Sequence, residues 1–325
     1  MVIHYCSKDC QVKHWPKHKI PCKESPIFKK DQEVAAAKKK LAEEEETLGV
    51  DHEATLRTVN SIGFLLREQG KLSLAEPFLR RALEARERTL GRDHPFTLQS
   101  VNNLGMLLQD QGKLSLAEPF LRRFLEGCER VYERDHPITL KSVSNLGTLL
   151  QGQGKRSLAE PYYRRALEGC ERILGRDHPD TLQSVSNLGT LLQAQGKLSL
   201  AEPVFRRALE GYEWTLGRDH FNTLTSVSSL GTLLHDQGKL SLSEPFFRRA
   251  LEGYERTLGR DHPHTLQSVN NLGTLLQAQG KLSLAEPFYR RAIEGCERTL
   301  GRDHQMTLSA VNNLRVLLKA MKKEK

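Results

Sequence analysis

Apolar residues recur at helical spacing through the central part of the chain. In the stretch from Asp93 to Arg134, a first stripe follows the spacing i, i+3, i+6, i+7 and i+10 at Leu98, Val101, Leu104, Gly105 and Leu108. A second stripe follows after a Gly-Lys connection, at Leu114, Ala117, Leu121, Phe124, Leu125 and Cys128. No run of residues alternates with period two. The pattern predicts an all-α chain built from antiparallel helix pairs.

The same pattern repeats every 42 residues. Asp-His occurs at positions 51, 93, 135, 177, 219, 261 and 303, and two glycines and a proline recur in the same register. Six full units and a seventh half-unit therefore follow one another from residue 51. Because one helix pair cannot bury both sides of its apolar stripe, neighbouring units must stack. The sequence predicts a solenoid, and Arg315 in place of the recurring glycine predicts that the last helix is a terminal cap.

Local signals predict where the helices begin and end. Asp93-His94-Pro95 is a start signal, and Gly112 is placed to end the first helix. Ser115 and Glu118 have the spacing of a capping box, which puts Pro119 near the end of the first turn of the second helix. The Asp-His pairs are interpreted as helix-start residues. Residues repeated once per unit cannot converge on one reaction centre, so we expect no enzymatic activity.

Small residues at fixed positions resemble the tetratricopeptide repeat (TPR) signature. These are Gly105, Ala117 twelve residues later, and alanines such as Ala166. The 42-residue unit with its Leu-Gly-Arg-Asp-His-Pro linker resembles the repeats of kinesin light chains and nephrocystin-like proteins. The resemblance implies a right-handed TPR solenoid and a peptide-binding adaptor. The heptad-repeat segment that joins light chains to the motor is not found, so the sequence does not support a kinesin heavy chain as partner.

Charge and composition narrow the classes of partner. The net charge is +9, but residues 1–40 contribute +6 and residues 319–325 contribute +3. A nucleic-acid-binding protein needs a basic face along its folded body, so we expect no nucleic-acid partner. Apolar runs are far too short to cross a membrane, and residues 1–10 lack the apolar core of a signal peptide. We therefore expect a cytoplasmic protein, with the nucleus as the alternative.

Three of the six cysteines lie in the first 22 residues. Cys6, Cys10, His18 and Cys22 have the spacing Cys-x3-Cys-x7-His-x3-Cys, which offers four ligands to one tetrahedral zinc ion. Together with Tyr5, Ser7, Gln11 and Trp15, they resemble the second half of a MYND zinc finger.

The MYND resemblance implies two interleaved zinc sites with eight ligands, of which this sequence offers four. On that pattern Cys6 and Cys10 serve one zinc ion, while His18 and Cys22 serve the other. Three alternatives stay open: the four ligands regroup around a single zinc ion, the segment is a remnant that binds no metal, or the start of the sequence is truncated.

The TPR resemblance also implies which residues face a bound peptide. On the first helices these positions carry amides and hydroxyls, which suit the backbone of an extended segment without demanding a charge. The predicted groove residues are Asn60, Gln99, Asn102, Gln109, Ser144, Gln151, Gln183, Ser186, Gln193, Gln267, Asn270 and Gln277.

Three other features recur or break the repeat. The Arg-Arg pairs on the second helices have glutamates four residues away, which predicts a charge-compensated surface. Cys128, Cys170 and Cys296 share one position that we expect to be partly buried. Trp214 replaces an arginine, and an exposed tryptophan there would mark a contact site, although drift in a redundant copy is the alternative.

The sequence thus divides into a partial MYND finger (1–24), a charged linker or capping helix (25–50), the TPR array (51–318) and a basic tail (319–325). The main hypothesis is an adaptor that binds extended segments of proteins. The alternatives are a nuclear co-regulator that recruits proteins through the finger, and a cargo adaptor similar to kinesin light chains.

Overall fold

A computed structural model describes residues 26–323, with side chains described for residues 31–322. This part of the chain contains fourteen α-helices and no β-strand, which confirms the all-α prediction. The helices are α1 Pro26–Leu48, α2 Glu53–Glu68, α3 Leu72–Leu90, α4 Pro95–Asp110, α5 Leu114–Val131, α6 Pro137–Gly152, α7 Arg156–Leu174, α8 Pro179–Ala194, α9 Leu198–Leu216, α10 Phe221–Asp236, α11 Leu240–Leu258, α12 Pro263–Ala278, α13 Leu282–Thr299 and α14 Gln305–Lys323. None of these helices is both long and apolar enough to cross a membrane.

Even-numbered helices from α2 to α12 are the first helices of the repeats, and each pairs with the odd-numbered second helix that follows. A histidine caps every first helix: His94 Nδ1 accepts a hydrogen bond of 3.2 Å from the backbone N–H of Phe96, and the same bond recurs at His52, His136, His178, His220 and His262. The Asp-His pairs are therefore helix-start residues, as predicted.

The turn between the two helices of a pair is closed by glycine. Gly112 has φ of 73°, and the backbone N–H of Lys113 reaches the C=O of Leu108 at 2.9 Å. This left-handed conformation is the common way to end a helix, and glycine adopts it without strain.

The predicted capping box at Ser115 and Glu118 is wrong. Helix α5 begins at Leu114, one residue before Ser115, and its N-cap Lys113 makes no side-chain capping bond. Glu118 instead bonds Arg122, Gln153 and Lys155. Because α5 starts early, Pro119 lies in the second turn of the helix and not near the end of its first.

Glycines let the two helices of a pair come close. A Cβ atom on Gly63 of α2 would lie 2.5 Å from Leu79 Cδ2 of α3, closer than van der Waals contact allows. The same position in α4 to α12 is Gly105, Gly147, Gly189, Gly231 and Gly273. A second set on the second helices, which sequence inspection missed, packs on the opposite helix: Gly127 lies against Leu98, and Gly169 against Leu140.

Contacts divide the described chain into two units, residues 26–173 and 174–323. In the first unit, α1 packs on α2, and Glu45 of α1 pairs with Arg81 at 2.6 Å. In the second unit, α14 packs on α12 and α13. Arg315 of α14 is exposed at the position where the other first helices have a buried glycine, as expected for a terminal cap. Helix α14 extends into the basic tail as far as Lys323.

Candidate functional site

One side of each first helix stays open to solvent, and we call these sides the first-helix face. In α4, Leu98, Val101 and Leu104 are buried, whereas Gln99 is exposed and Asn102 is half-buried. The open positions follow from the helical period, because residues between the apolar positions point away from the neighbouring helices. The predicted groove residues lie on these helices.

Three of the predicted groove residues hold adjacent repeats together. Asn103 Nδ2 donates to Asn60 Oδ1 at 3.0 Å, and Asn145 Nδ2 donates to Asn102 Oδ1 at 2.7 Å. In the second unit, Asn313 Nδ2 donates to Asn270 Oδ1 at 3.0 Å. Sequence inspection missed this role. The signal that could have found it is the joint occurrence of two asparagines 43 residues apart.

Most other predicted groove side chains also bond within the array. Tyr163 and Tyr289 donate their hydroxyls to Gln151 and Gln277, both at 3.0 Å. Gln193 donates to Asp236 at 2.7 Å. Further intramolecular bonds join Gln183 to Asn187, Gln267 to Asn271, and the Ser186 hydroxyl to the C=O of Leu182. Ser144 is half-buried, and Gln109 is half-buried with an Oε1 atom that accepts no hydrogen bond.

A cleft of about 340 Å³ opens between the N-terminal parts of α4 and α6. Its apolar lining includes Phe96, Phe124, Tyr132 and Ile138, and its polar lining includes Gln99, Asn102, Asn103 and Lys141. A cavity of this size holds one large side chain with its flanking backbone. Phe124 and Tyr132 make this cleft distinct, because the equivalent residues of the preceding pair are Ala82 and Leu90.

The aromatic rings of the cleft are fixed in place. The Arg57 guanidinium lies 6.0 Å from the centre of the Phe96 ring, and that of Arg86 lies 5.4 Å from it. Tyr132 stacks on His136 with ring centres 4.4 Å apart. Partial burial raises the pKa of Tyr132 above its ordinary value, so the ring stays neutral. The cleft therefore exists before any ligand binds.

The rim of this cleft keeps unused hydrogen-bonding groups. Among the described residues, Asn102 accepts with its oxygen, which leaves its Nδ2 donor free, and Asn103 donates with its nitrogen, which leaves its Oδ1 acceptor free. The Gln99 side chain makes no hydrogen bond within the described part of the chain, unlike its equivalents Gln183 and Gln267. One donor and one acceptor side by side match the N–H and C=O groups of an extended peptide.

The surface of the second helices is charge-compensated, as predicted. The first arginine of each pair bonds the glutamate four residues earlier, as Arg80 bonds Glu76 at 2.8 Å. In four pairs the second arginine bonds a glutamate of the preceding second helix, as Arg165 bonds Glu129 at 2.6 Å and Arg249 bonds Glu213 at 2.5 Å. Arg81 bonds Glu45 of α1 in the same way. These arginines therefore do not form a free anion-binding track.

The predicted zinc ligands Cys6, Cys10, His18 and Cys22 lie outside the described residues. Between residues 31 and 322, no group of three or more His, Cys, Asp or Glu side chains could hold a metal ion. Cys128, Cys170 and Cys296 are free thiols that are buried, and not only partly buried as expected. Burial raises the pKa of Cys128 to about 12 and also raises that of Cys296.

Comparison with protein families agrees with this geometry. The tetratricopeptide repeat family matches residues 51–130, 96–170, 142–213 and 221–298, which together exceed half of the chain. The chain therefore belongs to the tetratricopeptide repeat family. The MYND finger family matches residues 1–22. Comparison with curated proteins gave no match.

Solved structures share the fold at low sequence identity. A Podosopora anserina protein described as a kinesin light chain with nearly identical TPR-like repeats is 22% identical, with a TM-score of 0.54, 64% of this chain covered and 98% of that chain. BtubC (BKLC) from P. vanneervenii is 19% identical, with a TM-score of 0.55 and coverage of 77% and 92%. At this identity, the likeness shows the TPR fold alone.

Proposed function

We propose that this chain is a non-enzymatic adaptor that binds an extended segment of a protein partner along the first-helix face. The observation that carries the proposal is the cleft between α4 and α6. Its apolar floor, formed by Phe124, Tyr132 and Ile138, lies beside a free donor at Asn102 and a free acceptor at Asn103. Elsewhere on this face, most predicted groove amides are already bonded within the array.

The chemistry of the cleft defines the kind of segment it fits. A strand-like peptide would place one large apolar side chain against Phe124, Tyr132 and Ile138. Its backbone would bond the amides of Asn102 and Asn103. Affinity then comes from burial of the apolar side chain, and orientation comes from the amide pair.

A charge on the floor of the cleft tests this proposal. We would select 12-residue peptides from a random phage-displayed library on the full chain and measure their affinity by fluorescence anisotropy. Ile138→Asp should weaken binding by about tenfold or more, because an apolar side chain would then face an unpaired carboxylate. The substitution is compatible with the helix start, since Asp180 holds the same position in α8.

Asn222→Asp is the matched control, because Asn222 holds the equivalent position in α10, away from the cleft. It should leave affinity unchanged. Peptides that bind Ile138→Asp as tightly as the parent chain would contradict the proposal. If binding is lost in Cys6→Ala and Cys22→Ala chains but kept in Ile138→Asp, the finger, and not the cleft, is the binding module.

The match to the MYND finger supports a second proposal. We infer that Cys6, Cys10, His18 and Cys22 bind one zinc ion, which would order a segment too short to have its own apolar core. Native mass spectrometry of the intact chain should show one zinc ion per molecule. Zinc should be absent from a chain with Cys10→Ser and Cys22→Ser, and a parent chain without zinc would overturn the inference.

A further inference from the structure

An ion pair closes one end of the helix pair in five repeats. The aspartate before the first helix bonds an arginine 37 residues later, near the C-terminal end of the second helix. The distances are 2.8 Å for Asp51–Arg88, 2.8 Å for Asp93–Arg130 and 2.9 Å for Asp135–Arg172. Asp219–Arg256 and Asp261–Arg298 form the same pair. The position thus fits a guanidinium group.

The repeat formed by α8 and α9 lacks this arginine. Trp214 takes its place, and the Trp214 side chain is 86% exposed, the most exposed of the large apolar side chains between residues 31 and 322. The side chain of Asp177, the aspartate of this repeat, is exposed and makes no hydrogen bond or ion pair with the side chains described between residues 31 and 322. A carboxylate and an indole ring therefore stand at the two positions that meet in the other five repeats.

Neighbouring arginines do not prevent a guanidinium from binding at this position. Arg207 donates to the C=O of Arg176, so both of these cations lie at the same end of the pair as Asp177. In the repeat formed by α4 and α5, the hydrogen bond from Arg130 lowers the pKa of Asp93, and the positive charges of the equivalent residues Arg92 and Arg123 help to lower it. Arg130 still binds Asp93 there. An arginine of another molecule that binds Asp177 meets the same two neighbouring cations that Arg130 meets at Asp93.

Trp214 adds an attraction that the other repeats lack. A guanidinium group can bond a carboxylate through its N–H groups while its flat face stacks on an aromatic ring. Exposed tryptophan and arginine side chains are also the residues that most often dominate protein interfaces.

We propose that Asp177 and Trp214 form a docking site for an arginine side chain of a protein partner. The partner supplies the guanidinium that this repeat lacks. The site uses no residue of the first-helix face, so it is independent of the function proposed above, and a partner can engage it without occupying the α4–α6 cleft.

Tryptophan fluorescence tests the site directly. The chain has two tryptophans, so a Trp15→Phe background leaves Trp214 as the only one. The probe is acetyl-Gly-Arg-Gly-amide, with the citrulline peptide as an uncharged equivalent. The arginine peptide should change the Trp214 emission saturably. Binding should be about threefold weaker or more with citrulline, and likewise with Asp177→Asn. Equal responses to both peptides, or no effect of Asp177→Asn, would overturn the proposal.

The next repeat offers a gain-of-function variant. Arg256→Trp leaves Asp219 with an indole in place of its arginine, as in the natural site. In a chain that also carries Trp15→Phe and Trp214→Arg, this change should create the arginine response at a new place. Circular dichroism checks that the variant is folded. A folded variant that responds equally to the arginine and citrulline peptides would contradict the claim that the missing arginine makes the site.

Discussion

Gln111 Nε2 donates a hydrogen bond of 3.0 Å to Glu76 Oε2 across the boundary between two repeats. Arg80 and Lys113 bond the same carboxylate at 2.8 and 3.3 Å. This group recurs around Glu118, Glu202 and Glu244. It explains the recurrent Gln-Gly-Lys sequence: the glutamine and lysine bind the preceding repeat, and the glycine makes the turn between them.

These carboxylates should make stability depend on acid pH. The hydrogen bond from Gln111 has the largest effect on Glu76, and with those from Arg80 and Lys113 it lowers the pKa of Glu76 from 4.5 to about 2. The equivalent hydrogen bonds lower the pKa of Glu118 to about 2 as well. Since the folded-state pKa lies below the unfolded value, this stabilisation is complete above about pH 5 and is lost as the pH falls from 4.5 toward 2. The urea midpoint should fall steeply in that interval.

Two single variants test whether the pH dependence of stability comes from these hydrogen-bonded carboxylates or from carboxylates in general. Glu118→Gln should flatten the pH profile below pH 4.5 and cost about 1 kcal/mol at pH 7. Glu84→Gln is the matched control, because Glu84 is an exposed carboxylate on α3 that makes no hydrogen bond or ion pair with any other described side chain. It should change neither the profile nor the midpoint. Identical profiles for the parent and Glu118→Gln would show that the network contributes nothing.

The fold could be predicted from the sequence, and much of the site could not. The apolar period and the 42-residue repeat determine the helix pairs, because those signals are local. Which group of the Asn102 amide remains available to a ligand depends on Asn145, which lies one repeat away and binds the Asn102 oxygen. The capping-box prediction failed for a similar reason: Glu118 is bonded by Gln153 of the next repeat. Pairings between repeats are non-local, and a pattern read along one unit does not contain them.

Close packing at the recurring glycine should be sensitive to one methyl group. Gly63→Ala places a Cβ atom 2.5 Å from Cδ2 and 2.7 Å from Cγ of Leu79, which is fully buried, so the leucine must shift against its packed neighbours. We expect a loss of about 1–3 kcal/mol in the free energy of unfolding. Gly152→Ala is the control, because its Cβ would meet Leu114 at an ordinary 3.7 Å. It should be neutral or slightly stabilising, and equal losses for both variants would contradict the packing argument.

Arg86 and Glu53 should behave as a coupled pair. The Arg86 side chain is fully buried and bonds Glu53 at 2.9 Å, Ser100 at 3.0 Å and the C=O of Phe96 at 3.1 Å. Four of the other five full repeats have proline at the Glu53 position, and all five have cysteine or tyrosine at the Arg86 position, as in Pro137 and Cys170.

Breaking the pair on one side leaves a buried charge. Glu53→Pro alone should cost about 2–4 kcal/mol, because the Arg86 guanidinium loses its carboxylate. Adding Arg86→Cys should recover most of this loss, since the double variant restores the pair of residues found in other repeats. A double-mutant cycle by urea unfolding measures the coupling. Strictly additive effects would show that the two residues do not depend on each other.

Thiol reactivity should separate the six cysteines into two groups of three. Cys128, Cys170 and Cys296 are buried, and the high pKa of Cys128 keeps its thiolate scarce at pH 8. We expect these three to react with Ellman's reagent only after unfolding.

If the N-terminal segment binds zinc, Cys6, Cys10 and Cys22 should become reactive when a chelator removes the metal, while the helical array stays folded by circular dichroism. A Cys6→Ser chain should release one thiol fewer after chelation. Three reactive thiols before any chelator is added would argue against the zinc site, and fast reaction of all six would contradict the burial of the other three.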